Sequence, residues 1–147
     1  MSNSPSTAAR TATTVVHLLL AAMFFLFSGL QANDIDPAIY DKPSAFDAAL
    51  WLAFYGVIGA LFVVSLFRRV PVWLLLVSAI ACIAEMAATG PGLYENLCGG
   101  RDFTMTQASM SAADPRVELT REFFGALIAL CGVALLWRRE RKRGALT

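Results

Sequence analysis

At 147 residues the chain has the length of one domain, yet 57% hydrophobic composition and a mean hydropathy of +0.60 exclude an ordinary water-soluble domain of that size. The formal net charge of +1 conceals an uneven placement of charge along the chain, and that placement carries the topology.

The first nine residues, MSNSPSTAA, are small and polar and read as a disordered tail (1–9). An apolar run then predicts a first membrane span over about residues 11–31, long enough as a helix to cross a hydrocarbon core of about 30 Å. The same stretch has the outline of a signal peptide with an LQA cleavage end. Its single Arg10 and its apolar run of about sixteen residues favour a retained span. Within it lies the chain's one histidine, His17. A histidine inside a span is a candidate axial ligand for haem or a chlorophyll-type pigment. Without a second ligand in view, it reads first as a packing or hydrogen-bonding residue.

LQANDIDP closes this span and sets Gln31, Asn33, Asp34 and Asp36 together at one membrane face. Carboxylates at a helix C-terminus are disfavoured by the helix dipole unless something positive answers them. Candidates are Lys42, Arg101, Arg116 and, foremost, Arg121. Pro37 and Pro43 prevent a continuous helix into the second span, predicted over about 46–67.

The link RRVP is so short that the second and third spans are expected to form a tight antiparallel hairpin, with Pro71 as the first residue of the third helix. The third span is placed at about 72–89 and carries Glu85 one turn before its end. GPG then opens a loop over 90–114 that contains Cys98. Cys82 and Cys131 fall inside spans and read as small packing residues, and no cysteine spacing suggests a metal site.

Asp114 and Pro115 read as the N-cap and first residue of a helix whose fourth span occupies about 119–137 and which ends in the basic tail, with acids at its positive end and bases at its negative end. On that helix Glu118, Arg121, Glu122 and Gly125 share one face. The basic tail 138–147 contains RRERKR without interleaved aromatics, which suits anionic lipid and gives no support to nucleic-acid binding. Small residues four apart, such as Gly56 with Ala60 and Gly125 with Ala129, predict close helix packing.

Eight of the twelve Lys and Arg fall at the N-terminus, in RRVP or after the fourth span, together with one acid. The other ten acids lie in the two remaining connections or at their edges. The positive-inside rule then places both termini in the cytoplasm, in the cell (inner) membrane. The expectation is an all-α, integral-membrane four-helix bundle.

Two sequences carry a family resemblance. LQANDIDP is similar to the Q-x-N-D-x-D-P signature that follows the first span in the transmembrane protein 220 family of bacteria and eukaryotes. ELTREFFGALI resembles that family's E-x-x-R-E-x-x-G segment entering the last span. Gln31, Asn33, Asp34, Asp36, Pro37, Glu118, Arg121, Glu122 and Gly125 are the matching positions. The connection after Asp36-Pro37 and the 90–114 loop are longer than the family pattern. The resemblance implies four spans and an outer polar cluster, and brings no established activity with it.

Three functional expectations follow. The first is an accessory or interaction subunit, leaning away from an enzyme, in contact with lipid and with other membrane protein subunits and held by an Asp34/Asp36 to Arg121 network. The second is a small-molecule or ion binder built on Gln31, Asn33, Asp34, Asp36, Glu85, Glu118, Arg121 and Glu122. The sequence lacks an EF-hand pattern for calcium there. The third is a pigment- or haem-associated subunit through His17.

Overall fold

The computed structural model describes residues 7–37, 40, 44–100, 102 and 110–144, apart from the side chains of Ala9, Arg10 and Asn33. Among these residues the chain is all-helical: α1 (Thr7–Leu30) with a 3-10 turn at Gln31–Asn33, α2 (Ala45–Phe67), α3 (Val72–Cys98) and α4 (Arg116–Gly144). All four helices are long and apolar enough to span a membrane. Thr7, Ala8 and Ala9, expected in a disordered tail, belong to α1.

The helices run up and down, so the start of α1 and the end of α4 share one end of the bundle, here called the basic end. Arg139 and Arg143 of α4 reach Ser65 near the end of α2 there. The opposite, acidic end holds the turn after α1, the end of α3 and the start of α4, where Asn96 Nδ2 donates to Thr120 Oγ1 at 3.2 Å.

Lipid tails offer no hydrophobic drive for helices to associate, so close packing and buried hydrogen bonds hold such a bundle together. The close backbone approaches are α1 with α2 and α3 with α4. Short as RRVP is, α2 and α3 are not a closely packed pair. Small residues decide this: a Cβ at Gly59 of α2 would press on Phe25 and the Ala21 carbonyl of α1, and one at Gly92 of α3 would overlap Leu119 of α4. Ser28 Oγ adds a hydrogen bond from α1 to the Leu52 carbonyl of α2 at 2.7 Å.

Between the two pairs runs a column of rings. Trp51, Tyr55, Phe24 and Phe62 stack in succession, with centroids 5.5, 6.4 and 5.9 Å apart, and His17 meets Phe62 edge-on at 5.4 Å. The column lies against the small face of α4, where Gly125, Ala126, Ala129 and Gly132 are buried. Phe24 and Phe62 are fully enclosed.

One predicted boundary is corrected. The third helix does not stop at 89 but runs through Pro91 to Cys98. An internal proline costs about 3 kcal/mol. The extra turns recover it by packing Gly92 on Leu119 and joining Asn96 to Thr120, whose hydroxyl donates onward to the Arg116 carbonyl at 2.6 Å. The loop therefore begins at Gly99, with Gly100 at φ +71° turning the chain.

The fourth helix ends in the basic tail, at Gly144, as expected. Lys and Arg are good helix formers and suit the negative helix end. Arg143 Nη1 donates to the Ser65 and Arg68 carbonyls at 2.9 and 3.2 Å, satisfying groups that the end of α2 leaves open. Pro71 caps α3 from the position before its first residue. Cys82 is buried as expected, whereas Cys131 faces outward.

Candidate binding vestibule at the acidic end

At the acidic end an open cavity of about 330 Å³ lies between α1, α2 and α4. Its wall is built from three directions. Leu30, Gln31 and Asp34 come from the end of α1, Trp51 and Tyr55 from α2, and Glu118, Arg121 and Glu122 from α4, with Tyr40 and Met110 from the connections. An adjoining cavity of about 450 Å³ shares Trp51, Glu118 and Glu122 and adds Asp47, Glu85 and Thr89. Five carboxylates thus surround the Trp51 ring, with Arg121 as the one cation among the described lining residues.

Each position has a local cause. The 3-10 turn halts α1, and the Asp34 amide donates to the Gln31 carbonyl at 3.2 Å, which brings the Asp34 carboxylate back over the helix end. The Gln31 side chain donates to the Phe27 carbonyl at 3.3 Å and covers one open group of α1. Asp36 is exposed and off the lining, but its carbonyl accepts from the Tyr40 amide at 3.0 Å and so turns the chain. The Tyr40 hydroxyl then donates to Asp34 Oδ1. Burial first, and then this bond to a carboxylate, push the Tyr40 phenol above its usual range.

Ser44 caps α2 by accepting from the Asp47 amide at 3.4 Å, which places an acid in the first turn, where the dipole favours it. On α4, Glu118 and Glu122 face the cavity one turn apart, and the next position on that face, Gly125, leaves room for the Tyr55 hydroxyl.

The expected ion pair from Asp34 or Asp36 to Arg121 is not made: among the described residues Arg121 has no carboxylate within 4.0 Å. Arg121 is exposed at the cavity edge, while Tyr40 holds Asp34. Arg116 is committed elsewhere, donating to both oxygens of Asp114 at 2.8 and 2.6 Å. Lys42, Arg101 and the Asn33 side chain lie outside the described residues. Gln31, Asp34, Glu118, Arg121 and Glu122 do converge on one cavity, and Glu85 lines its neighbour.

Sequence reasoning missed Tyr40, Asp47, Trp51 and Tyr55 as wall residues. The signal was present in Asp47, Trp51 and Tyr55, which are spaced four apart and form one inward stripe of α2. Tyr40 had no such signal, because its place depends on the turn at Asp36.

The polar turn after the first long helix and the Glu-Arg-Glu face entering the last now stand on either side of one cavity, within a four-helix membrane fold. The family model Transmembrane family 220, helix, matches residues 23–138. The chain belongs to that family. No curated protein and no solved structure matches it. In this family 220 member the match takes in the whole vestibule, and leaves outside it the first four turns of α1 and the last turns of α4.

Chemically, the vestibule is suited to positive charge. The carboxylates supply acceptors for an ammonium group, and the Trp51 and Tyr40 rings of the lining are suited to cation–π contacts. The carboxylates are spread out: among the described residues no three acidic, histidine or cysteine side chains are grouped to hold a metal ion. His17 has no part here. It lies toward the basic end, where Nδ1 donates to the Thr13 carbonyl at 2.8 Å.

Proposed function

We infer that this multi-pass membrane protein binds a small organic cation, an amine or quaternary ammonium group, in the vestibule at its acidic end. The observation that carries this reading is the wall shared by the two adjoining cavities, with Glu118 and Glu122 beside the Trp51 ring and Asp34 opposite. That convergence moves the reading from an accessory subunit, the first expectation from sequence, to a binder. Tyr40 supports it by holding Asp34 in place at the rim. The charge distribution sets the direction: by the positive-inside rule the basic end and both termini face the cytoplasm of a cell (inner) membrane, and the vestibule opens outward.

The test is thermal unfolding of the full chain in mild detergent with a panel of primary amines, quaternary ammonium salts and divalent cations. An organic cation is expected to raise the midpoint, and Glu122→Gln or Asp34→Asn to weaken that ligand about tenfold or more, as loss of a charge-assisted contact does. An unshifted midpoint across the panel, or a shift that both variants keep, would overturn the reading.

A further inference from the structure

A separate cavity, of about 410 Å³, opens at the basic end between the start of α1 and the end of α4. Four cations converge on it, Arg138, Arg139, Lys142 and Arg143, forming two adjacent stripes of α4. The two inner ones are fixed in place. Arg139 Nη1 donates to Ser65 Oγ at 3.1 Å, and Arg143 is held by the Ser65 and Arg68 carbonyls and by Glu140 at 3.1 Å. The two outer ones, Arg138 and Lys142, are exposed and make no ion pair among the described residues.

His17 completes the wall from α1. Only 8% of it is exposed, Nδ1 is spent on the Thr13 carbonyl, and Nε2 is buried without a hydrogen-bond partner. With Nδ1–H given to Thr13, Nε2 is an acceptor, and a buried acceptor left unpaired is costly unless a donor group of a ligand meets it.

We propose that this cavity binds the phosphate of an anionic phospholipid headgroup through Arg138, Arg139, Lys142 and Arg143, with the His17 Nε2 acceptor open to a headgroup hydroxyl. Two held guanidiniums and two exposed cations match the several oxygens of a phosphate ester. The surroundings select a lipid as the carrier of that phosphate. α1 exposes Val15, Val16, Leu18 and Leu19, the last at 65%, and α4 exposes Leu135. An acyl chain has an apolar surface to follow next to the basic cavity. Basic pockets between spanning helices are a recurrent means of holding such headgroups. Of the lining side chains, His17, Arg139, Lys142 and Arg143 lie outside residues 23–138 that match the family model, and Arg138 is the last residue matched. The site does not depend on the vestibule reading.

The experiment is native mass spectrometry of the full chain in a non-ionic detergent, titrated with phosphatidylglycerol, phosphatidylcholine or inorganic phosphate. Wild type is expected to prefer phosphatidylglycerol to phosphatidylcholine by about tenfold or more. Arg138→Gln with Lys142→Gln should weaken phosphatidylglycerol on the order of 30-fold, and Arg68→Gln with Arg141→Gln, which removes the same charge away from the cavity, by no more than about threefold. Equal losses in the two double variants would reduce the effect to diffuse attraction and overturn the site. So would equal binding of the two lipids by wild type, a result that requires no variant to fold. Competition by millimolar inorganic phosphate would transfer the same anion chemistry to a soluble phosphate ester and overturn the lipid assignment.

Discussion

Gly125 and Tyr55 show how closely single residues constrain this chain. A Cβ at Gly125 would overlap the Tyr55 hydroxyl, at the point where the aromatic column passes from the vestibule into the bundle. Gly125→Ala is expected to destabilise the fold by about 1–3 kcal/mol, the usual cost of overpacking. The cost should fall in a Tyr55→Phe background, which removes the clashing oxygen, and a double-mutant cycle by reversible unfolding in detergent measures the coupling. Tyr40 has a different signature. Its raised phenol stays protonated in the fold while an unfolded tyrosine ionises near its ordinary value of 10.0. The stability this bond confers is therefore complete below that value and declines as the pH rises above it. Tyr40→Phe should flatten the alkaline arm of a stability–pH profile, and an unchanged arm would separate Tyr40 from Asp34. This pairing was not legible in the sequence. Asp34 was expected to face Arg121 because opposite charges on one side invite pairing, but Tyr40, six positions further on, supplies a nearer neutral donor.

At the scale of elements, the spans themselves were legible because each is a long apolar run with charges at its ends, and membrane thickness fixes how long such a run must be. Their ends were less so. GPG after residue 89 reads as a helix stop when judged locally, yet α3 continues because α4 offers Leu119 and Thr120 to its last turns. The end of α4 in the basic residues was legible from their charge at the negative helix end, although not the place that the open carbonyls of α2 give Arg143. In both places a neighbouring helix supplied what the local sequence lacked. Hydrogen exchange tests the α3 boundary: amides of residues 93–98 should be protected like those of a helix, and Asn96→Ala should reduce that protection. Exchange at these amides as fast as in an open loop would restore the boundary at 89.

Across the whole molecule, polar chemistry is separated by sign and joined by an apolar column. Carboxylates surround one end, arginines and a lysine the other, and the rings from Trp51 to His17 lie between them. The candidate site was legible to the extent that its carboxylates fall on one helix face or at helix ends. Its aromatic wall was not, because a half-apolar stripe such as Asp47, Trp51 and Tyr55 reads equally as core until a cavity is seen beside it. Trp51 also provides the most direct readout of the vestibule. With Trp73 and Trp137 changed to Phe, Trp51 is the sole indole, and its fluorescence can be titrated with a quaternary ammonium salt in wild-type and Glu122→Gln backgrounds. Binding in the vestibule predicts a saturable change that Glu122→Gln weakens about tenfold or more; a flat titration, or one that Glu122→Gln leaves unaltered, would contradict it.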